Sequence, residues 1–320
     1  TLGQPTRRRA LAALGALVLV AGLAGLAYDR LVASRIESTD NAYVQGHLVQ
    51  VTPQVGGTVT AILVEEGDPV KAGQPLVRLD PADARVALQQ AEAALGLAVR
   101  QTRALYAQPA GATALTEGVK VENHPAVQAA AARVREAWLA SQRLALPAPV
   151  DGHVARRIVQ LGQRVAPGAP LLTVVPLDQL WVDANFKEVQ LRHLRIGQPA
   201  RVTADVYGRE VVFRGTVAGL GVGTGAAFAL LPPQNATGNW IKVVQRVPVR
   251  IALDPQELAA HPLRVGLSMD VTVDTQDQSG KALADAPRST PAAATDVFAA
   301  QERASQQRVD RIVAANLGTA

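Results

Sequence analysis

A duplicated segment constrains the fold of this chain more than any other feature of its sequence. When the sequence is shifted against itself by 95 positions, the residues from Val55 to Pro81 align with those from Val150 to Pro176. The identical pairs are Val55/Val150, Gly57/Gly152, Val59/Val154, Val64/Val159, Gly67/Gly162, Val70/Val165, Gly73/Gly168, Pro75/Pro170, Leu76/Leu171 and Pro81/Pro176. Identity at this spacing indicates an internal repeat, so both segments are expected to share one structure.

Each copy has the pattern of a small β unit. Alternating valines predict one buried strand face, and Gly57 and Gly67, like Gly152 and Gly162, predict turns with positive φ. A Gly-x-Pro triplet in each copy is expected to separate one strand from the next. A few short strands bury too little apolar surface to offset the entropy of ordering them, so the copies are expected to pack together as one domain.

The repeated pattern resembles a known domain family. V-x-G-x-V, followed by V-x-x-G-D-x-V-x-x-G-Q-P-L, is similar to the half-motif of biotinyl/lipoyl domains. A lipoyl domain split by a helical hairpin is typical of periplasmic membrane fusion proteins, the HlyD/EmrA-type adaptors of efflux pumps. The resemblance implies a mainly β chain with an N-terminal transmembrane helix, a split lipoyl domain interrupted by an antiparallel coiled-coil hairpin, and a small β-barrel domain. It places the lipoyl half-motifs at residues 46–81 and 147–176.

The composition argues against catalysis and against nucleic-acid binding. The 320 residues contain no cysteine, which excludes disulfides, thiolate metal sites and a cysteine nucleophile. The five histidines show no i,i+4 pairing, and neither paired carboxylates nor a G-x-S-x-G elbow occurs, so no catalytic, cofactor or metal site is expected. The formal charge of +5 comes without a Lys/Arg stripe among aromatic residues, so nucleic acid is not an expected partner.

An uncharged run, Ala10 to Ala27, follows the basic cluster Arg7–Arg9. As a helix it would measure roughly 27 Å, close to the thickness of a bilayer's hydrocarbon core. The positive-inside rule leaves residues 1–9 in the cytoplasm and, for this family, the rest in the periplasm of a Gram-negative bacterium. A cleavable signal peptide is the alternative. The predicted residues of the inner-membrane anchor are Ala10, Leu11, Leu14, Leu17, Leu19, Leu23, Leu26 and Ala27.

Between the two copies the hydrophobic period becomes helical. Two successive segments carry stripes spaced 3-4-3-4-3, at Leu88, Ala91, Leu95, Ala98, Thr102 and Leu105 and at Val127, Ala130, Val134, Ala137, Ser141 and Leu144. They predict an antiparallel α-hairpin over residues 82–146 with an Ala-rich seam. Asn123, just before Pro125, is expected to lie in the cap region of the return helix.

The predicted helices of about 24 residues reach only ~36 Å, which is short for this family's hairpin. Either the hairpin is short, or the given sequence lacks a stretch near the tip. The family's hairpin tip meets the outer-membrane channel, so the resemblance implies channel contacts at Leu105, Tyr106, Val121 and Asn123. Helices replace the lysine-bearing turn of biotin and lipoyl carriers, and this argues against a carrier function.

Short strands beyond Pro176 predict a β-barrel domain over residues 177–275, with one short helix at 187–194. Three longer segments, Ser38–Val44, Trp181–Glu188 and Leu230–Arg250, and the short turn Arg195–Pro199 resemble EmrA-like adaptors. The first also suits a turn leading into an edge strand, because Asp and Asn favour turns. The third segment distinguishes EmrA-like adaptors, which serve major-facilitator transporters, from the adaptors of ABC and RND pumps.

The third segment and its flank supply candidate contacts with the transporter or with substrate. The implied residues are Phe228, Leu231, Asn235, Asn239 and Trp240. The alternative for the two aromatic residues, which packing statistics favour, is that they are buried and hold the loop against the barrel.

The C-terminal residues divide into two parts. Residues 276–294 are rich in Ala, Pro, Ser and Asp and predict a linker. Residues 295–317 have a modestly amphipathic pattern that predicts a helix, with solvated disorder as the alternative.

The resemblance therefore implies a periplasmic adaptor of a tripartite multidrug efflux pump, and no enzyme. The implied partners are an EmrB-like major-facilitator transporter, a TolC-like outer-membrane channel and further copies of the chain in a ring, with hydrophobic drugs as candidate ligands. The alternatives are an adaptor of a type I secretion or ABC-type exporter and, more remotely, a biotin or lipoate carrier subunit.

Overall fold

The computed structural model describes residues 13–22, 35–106, 120–228, 243–287, 289 and 291–317. The strands are β1 Ile36–Gln45, β2 Val49–Val51, β3 Gly57–Ile62, β4 Pro69–Val70, β5 Pro75–Leu79, β6 Ala145–Pro147, β7 Gly152–Arg157, β8 Arg164–Val165, β9 Leu172–Val175, β10 Trp181–Lys187, β11 Pro199–Ala204, β12 Val212–Leu220, β13 Arg246–Leu253 and β14 Ser268–Asp274. The helices are α1 (residues 13–22), α2 Ala82–Tyr106, α3 Pro125–Gln142, α4 Pro255–Ala260 and α5 Ala299–Leu317.

These elements fall into two units. The barrel unit comprises Thr1–His47 and Leu177–Ser289, and the sandwich unit comprises Leu48–Pro176 and Thr290–Ala320. Both copies of the sequence repeat lie in the sandwich unit.

The barrel unit contains a closed six-stranded barrel in the order β1–β10–β13–β12–β11–β14. All neighbours are antiparallel, and β14 pairs with β1 to close the cylinder. Strand residues alternate between the interior and the surface, so Val182, Ala184 and Phe186 of β10 are fully buried. The alternation seen in the sequence thus fills the barrel with side chains.

Two local predictions for the barrel unit are wrong. The segment Ser38–Val44 is neither a turn nor an edge strand, because it lies within β1, which pairs with β10 on one side and β14 on the other. Its turn-forming residues instead produce a register shift between Thr39 and Ala42. The short helix expected over residues 187–194 is a single 3₁₀ turn, Gln190–Arg192, and the Gln190 side chain accepts a hydrogen bond from the Lys187 N–H at 2.9 Å.

The sandwich unit contains two antiparallel four-stranded sheets, β2–β9–β7–β4 and β6–β5–β3–β8, together with helices α2, α3 and α5. Strands β3 and β7 begin 95 positions apart, as do β4 and β8, so the repeat is also a repeat of structure. Strand β4 of the first copy pairs with β7 of the second, and β8 of the second copy pairs with β3 of the first. Valines of both copies share one buried core: Val59, Val64, Val70, Val154, Val159 and Val165.

The repeated glycines have two different roles. Gly67 and Gly162 have φ values of 93° and 77°, as predicted for left-handed turns. The same prediction for Gly57 and Gly152 is wrong, because both lie at the start of strands and neither has positive φ. A Cβ at Gly152 would lie 2.5 Å from the Val175 carbonyl oxygen, so this position requires glycine for close approach of the backbone.

Helices α2 and α3 pack against each other and run in opposite directions. The Leu79 N–H, just before α2, donates to the Leu144 carbonyl, just after α3, at 2.9 Å. Leu95 and Val134 from the predicted stripes lie fully buried in their shared core. The connection, residues 107–119, lies outside the described part of the chain. Asn123 is not the cap of α3, since His124 is the N-cap and its Nδ1 accepts from the Ala126 N–H at 3.3 Å.

Helix α5 is the third member of this helical cluster. Val309 and Val313 are buried in the same core as the apolar residues of α2 and α3. Arg308 of α5 forms an ion pair with Glu92, and Asn316 accepts a hydrogen bond from Arg100 at 2.7 Å, so α5 runs parallel to α2. The C-terminal residues are therefore packed on the helix pair instead of forming a solvated tail.

Candidate functional site

The three longer segments that resemble EmrA-like adaptors are in contact at one end of the barrel. The first two contribute Thr39 and Asn185, and the end of the third contributes Arg246. Thr39 of β1 donates through Oγ1 to the Asn185 carbonyl of β10 at 3.0 Å. Arg246, the first residue of β13, donates through Nη1 to the same carbonyl at 3.0 Å and to Thr39 Oγ1 at 3.3 Å. The Asn185 side-chain amide donates to Asn41 Oδ1 at 3.0 Å. These contacts tie β1, β10 and β13 together with side chains as well as with backbone ladders.

The register shift in β1 makes this network possible. The Asn41 N–H donates to Thr39 Oγ1 at 3.2 Å, and Thr39 is buried. A strand irregularity redirects side chains relative to the regular pleat. Here it leaves the Thr39 hydroxyl as the common partner of a backbone N–H, a carbonyl and a guanidinium.

An open cavity of about 440 Å³ adjoins the network. Its lining contains both charge signs, from Lys187 and Arg246 and from Asp40 and Asp270. No described group of three or more His, Asp or Glu residues could hold a metal ion. The cavity therefore offers polar contacts of mixed charge.

A second cluster surrounds Trp181 at the start of β10. The indole Nε1 donates to Asp183 Oδ1 at 3.0 Å, the Arg250 guanidinium lies 4.2 Å from the ring centroid, and the His47 ring lies 5.0 Å away. Burial raises the pKa of the Asp183 carboxyl above its usual range, while the Arg250 charge and the Trp181 hydrogen bond lower it. The hydrogen bond to Asp183, the cation–π contact with Arg250 and the edge contact with the His47 ring together hold the Trp181 side chain in place.

The four residues predicted at the hairpin tip lie at one end of the α2–α3 pair. Leu105 and Tyr106 end α2, and Val121 and Asn123 form the 3₁₀ turn that precedes α3. Leu105 and Asn123 are exposed, Tyr106 is half-buried, and Val121 packs against the helical core.

Only one of the five predicted contact residues of the barrel loop is described. The Phe228 side chain is 72% exposed, so the interpretation of Phe228 as a buried residue is wrong. It packs over Gly223 of the same loop, where a Cβ would lie 2.6 Å from the ring. Leu231, Asn235, Asn239 and Trp240 lie outside the described residues.

The predicted membrane anchor is described in part. Leu14, Leu17 and Leu19 lie in α1 and are exposed, and the remaining predicted residues fall outside the described chain: Ala10, Leu11, Leu23, Leu26 and Ala27. Across the described ranges, no helix combines the length and apolar character needed to cross a bilayer.

Sequence profiles of two domain families match the two units. The family described as "RND MFP, barrel-sandwich hybrid domain" matches residues 47–177, and the "AAEA-like beta-barrel domain" matches residues 179–274. The multidrug export protein EmrA of Escherichia coli K12 is 41% identical over 91% of this chain and 90% of its own. The fatty acid resistance protein FarA of Neisseria gonorrhoeae is 42% identical over 98% of this chain and 93% of its own.

The chain belongs to the EmrA-like membrane fusion protein family. This confirms the family predicted from the lipoyl half-motifs. Members of the family are adaptor proteins, so the prediction that the chain is not an enzyme is also confirmed.

Solved structures of membrane fusion proteins share the fold of this EmrA-like chain. A MacA–MexA chimera containing the Pseudomonas aeruginosa MexA α-hairpin domain gives a TM-score of 0.57 at 19% identity, over 76% of this chain and 82% of its own. The membrane fusion protein Spr0693 of Streptococcus pneumoniae R6 gives 0.56 at 20% identity, over 76% and 99%. The mainly β architecture with its barrel is thus the family fold.

Sequence reasoning missed the way in which these EmrA-like segments meet. Thr39, Asn185 and Arg246 were not singled out, because β1 is separated from β10 and β13 by more than 130 residues of sequence. Their positions in the sequence could have pointed to them. Thr39 and Asn185 lie inside segments that resemble the family, and Arg246 lies near the end of the segment Leu230–Arg250.

Proposed function

We propose that this chain is the periplasmic adaptor subunit of a tripartite multidrug efflux pump in a Gram-negative bacterium. The observation that carries the proposal is the 41% identity to the E. coli multidrug export protein EmrA across nine-tenths of both chains. A second E. coli relative, the probable multidrug resistance protein EmrK, is 38% identical over 85% of this chain. Full-length similarity of this kind covers the sandwich and barrel units together, so it supports the adaptor as a whole.

The adaptor's partners are an inner-membrane transporter and an outer-membrane channel. The transporter is an EmrB-like major-facilitator antiporter, which the resemblance of Leu230–Arg250 to EmrA-like adaptors supports. The channel is TolC-like. Several copies of the adaptor form a ring, because one narrow helix pair cannot enclose a conduit.

Residues 10–27 anchor the adaptor in the inner membrane as a single pass. The support is an uncharged run of suitable length behind the basic cluster Arg7–Arg9. The remainder of the chain then lies in the periplasm.

Helices α2 and α3 form the coiled-coil hairpin that reaches toward the channel, with Leu105, Tyr106, Val121 and Asn123 at its tip. The relatives align over 350 and 376 residues, more than the 320 residues of this chain, so they carry residues that this sequence lacks. We assign the missing residues to the tip, between α2 and α3. The aligned lengths and the shortness of both helices support this assignment.

The barrel loop contacts the transporter or its substrate through Phe228, Leu231, Asn235, Asn239 and Trp240. The exposure of Phe228 supports an outward-facing role for the loop. The Thr39–Asn185–Arg246 contacts fix the barrel strand that follows this loop. An adaptor of this kind performs no chemistry: it positions two membrane proteins and seals the path between them.

Drug susceptibility tests the proposal. Deleting the gene from its native host should lower the minimal inhibitory concentration of several unrelated hydrophobic drugs, and the wild-type gene should restore it. Deleting the genes for the adaptor and the transporter together should lower it no further, because both act in one pump. Unchanged susceptibility to all drugs tested would contradict the proposal.

A further inference from the structure

An open cavity of about 260 Å³ lies at one side of the sandwich unit. Strand β2 is an edge strand of one sheet and β6 is an edge strand of the other, and residues of both strands line the cavity. Two of these residues, Val51 and Leu146, belong to the buried core of the sandwich. The cavity therefore reaches the apolar core between two edge strands.

The beginning of α5 forms a further wall of this cavity. Phe298, just before the helix, and Gln301, in its first turn, are lining residues. Thr295 holds this part of the chain on the sandwich, because its Oγ1 donates a hydrogen bond to the Pro149 carbonyl at 2.7 Å. The Phe298 side chain stays 39% exposed. An aromatic ring that remains exposed beside a cavity offers apolar contact area to a ligand.

Arg143 gives the cavity its charge. It directly follows α3 and is exposed. Within the described lining it is the one residue with a formal charge, because that lining contains neither Asp nor Glu. Arg308 pairs with Glu92, whereas the Arg143 side chain takes part in none of the ion pairs of the described residues. A guanidinium in this position can bind a carboxylate or a sulfonate through two N–H groups.

The other polar groups of the lining are neutral. They are the side-chain amides of Gln50, Gln54 and Gln301 and the hydroxyl of Thr52. Apolar walls with a few polar groups are typical of small-molecule sites, which usually enclose about 300 Å³ or more. The volume of this cavity lies just below that range, so it suits a compact ligand such as a fused aromatic ring system.

An extended peptide is the alternative occupant of a gap between two edge strands. Such a peptide is held mainly by main-chain hydrogen bonds, and a proline has no N–H to donate. Pro147 lies within β6, and Pro149 follows it on the same side of the cavity. The prolines and the single positive charge therefore favour a small anion over an added strand.

We propose that this cavity binds a small organic anion. The apolar body of the ligand lies between β2, β6 and the Phe298 ring, and its anionic group lies on the Arg143 guanidinium. The inference goes beyond the proposed function, because an adaptor can join its partners whether or not the cavity is filled. Its test needs the purified chain alone, so a negative result leaves the proposed function standing.

Protection of a single cysteine tests the site, because the natural chain contains no cysteine. Ala145→Cys places an exposed thiol in the lining of the cavity. The full-length variant, in a nonionic detergent, is modified with N-ethylmaleimide in the presence of naphthalene-1-sulfonate. We expect saturating sulfonate to slow the modification by about fivefold or more, since bound ligand covers the thiol. Neutral naphthalene-1-sulfonamide, which has the same ring system, should slow it by less than about twofold.

Substitutions of Arg143 in the Ala145→Cys background identify the charged partner. Arg143→Gln should reduce the protection by the sulfonate to that by the sulfonamide, and Arg143→Lys, which keeps the charge, should retain most of it. Arg133→Gln removes an exposed arginine of α3 outside the cavity and should change nothing. A thiol at Ala129→Cys, on exposed α3, should react at one rate with and without either probe.

Three results would overturn the proposal. Equal protection by the two probes, or protection that survives Arg143→Gln, would show that Arg143 serves only to complement the end of helix α3. Absence of protection by both probes at millimolar concentration would show that the cavity is no binding site. Unchanged protection in Phe298→Ala would place the ligand elsewhere on the chain, because that substitution removes the aromatic wall. Equal melting temperatures of the variants confirm that each of them is folded.

Discussion

Single backbone positions in the sandwich unit are set by close approach of neighbouring strands. At Gly152 a Cβ would lie 2.5 Å from the Val175 oxygen and 2.8 Å from its carbonyl carbon, so the backbone itself would have to move. We expect Gly152→Ala to lower the free energy of unfolding by about 1–3 kcal/mol, as overpacking does elsewhere. Gly219→Ala, which meets nothing within 4 Å, is the control and should change it by less than about 0.5 kcal/mol. Equal urea midpoints for the two variants would refute this account of Gly152.

Asp183 gives the barrel a pH-dependent stability. Its pKa is raised in the folded state, mainly by burial, so the folded chain binds this proton more tightly than the unfolded chain. Stability from this group is therefore fully present below the ordinary pKa of 3.8 and is lost as pH rises through the folded value. Asp183→Asn, which cannot ionise, should remove this part of the pH dependence.

Urea unfolding at a series of pH values measures this effect. The stability of the wild type relative to Asp183→Asn should fall as pH rises from 3.8 toward neutrality. Asp178→Asn, on an exposed turn, controls for the loss of one negative charge. A constant difference between wild type and Asp183→Asn across the series would contradict the assignment.

At the scale of elements, α5 completes the apolar core of the helical cluster. Val309 is 4% exposed and packs in the same core as Val99 and Ala131. Val309→Asp would bury an unpaired carboxylate in this core. The free-energy cost of that burial exceeds the stabilisation from the three partly exposed polar side-chain contacts that α5 makes. We expect α5 to detach.

Hydrogen–deuterium exchange measures this detachment. Val309→Asp should speed amide exchange throughout α5 and in α2 around Val99, while β10 and β13 of the barrel unit stay protected. The exposed Gln307→Asp is the matched control and should leave α2 unchanged. Protection of α2 that persists in Val309→Asp would show that α5 contributes little to the core.

Helices and strands were predicted well from the sequence where a single hydrophobic periodicity determines the local structure. The heptad stripes located Leu95, Val127 and Val134 in the helical core, and valine alternation located Val59 and Val154. The predicted stripes did not include Val99, Gly96 and Ala131, which are buried in α2 and α3. Val99 and Ala131 share a core with Val309 and Val313 of a third helix that is distant in sequence. At Gly96 a Cβ would lie 3.1 Å from Asn316 Oδ1, so this glycine within α2 lies where α5 approaches closely.

The candidate site was less predictable than the elements. Resemblance picked out the segments around Thr39 and Asn185, but their contact with Arg246 depends on β1 pairing with β10 and on β10 pairing with β13, and these strands are far apart in the sequence. Local turn propensity also misled at Asp40 and Asn41, because two flanking strands hold β1 extended across its register shift. Long-range pairing thus overrides a local preference here.

At the scale of the whole molecule, each of the two units supplies a different part of the proposed adaptor. The sandwich unit supplies the helix pair α2–α3, and the barrel unit supplies the end at which Thr39, Asn185 and Arg246 are in contact. Two family profiles match these units in turn, and the relatives match nearly the whole chain. This extent of similarity supports the adaptor as a whole, with both units included.

The barrel-end network is expected to matter for coupling to the transporter more than for folding. Arg246→Met retains the length of the side chain but removes its hydrogen bonds to Thr39 and Asn185. We expect wild-type protein levels with at least a fourfold loss of drug resistance in a complementation assay. Lys187→Met, at the same cavity but outside the network, is the control, and equal resistance for both variants would count against a role for the network.

Affinity purification of the tagged full-length protein from its native membranes tests the central claim most directly. After mild crosslinking and detergent extraction, mass spectrometry should identify a multi-spanning major-facilitator transporter as the main partner, together with an outer-membrane channel. Recovery of an ABC ATPase would instead make this chain the adaptor of a nucleotide-driven exporter. Recovery of soluble carboxylase or dehydrogenase subunits without any transporter would contradict the adaptor function.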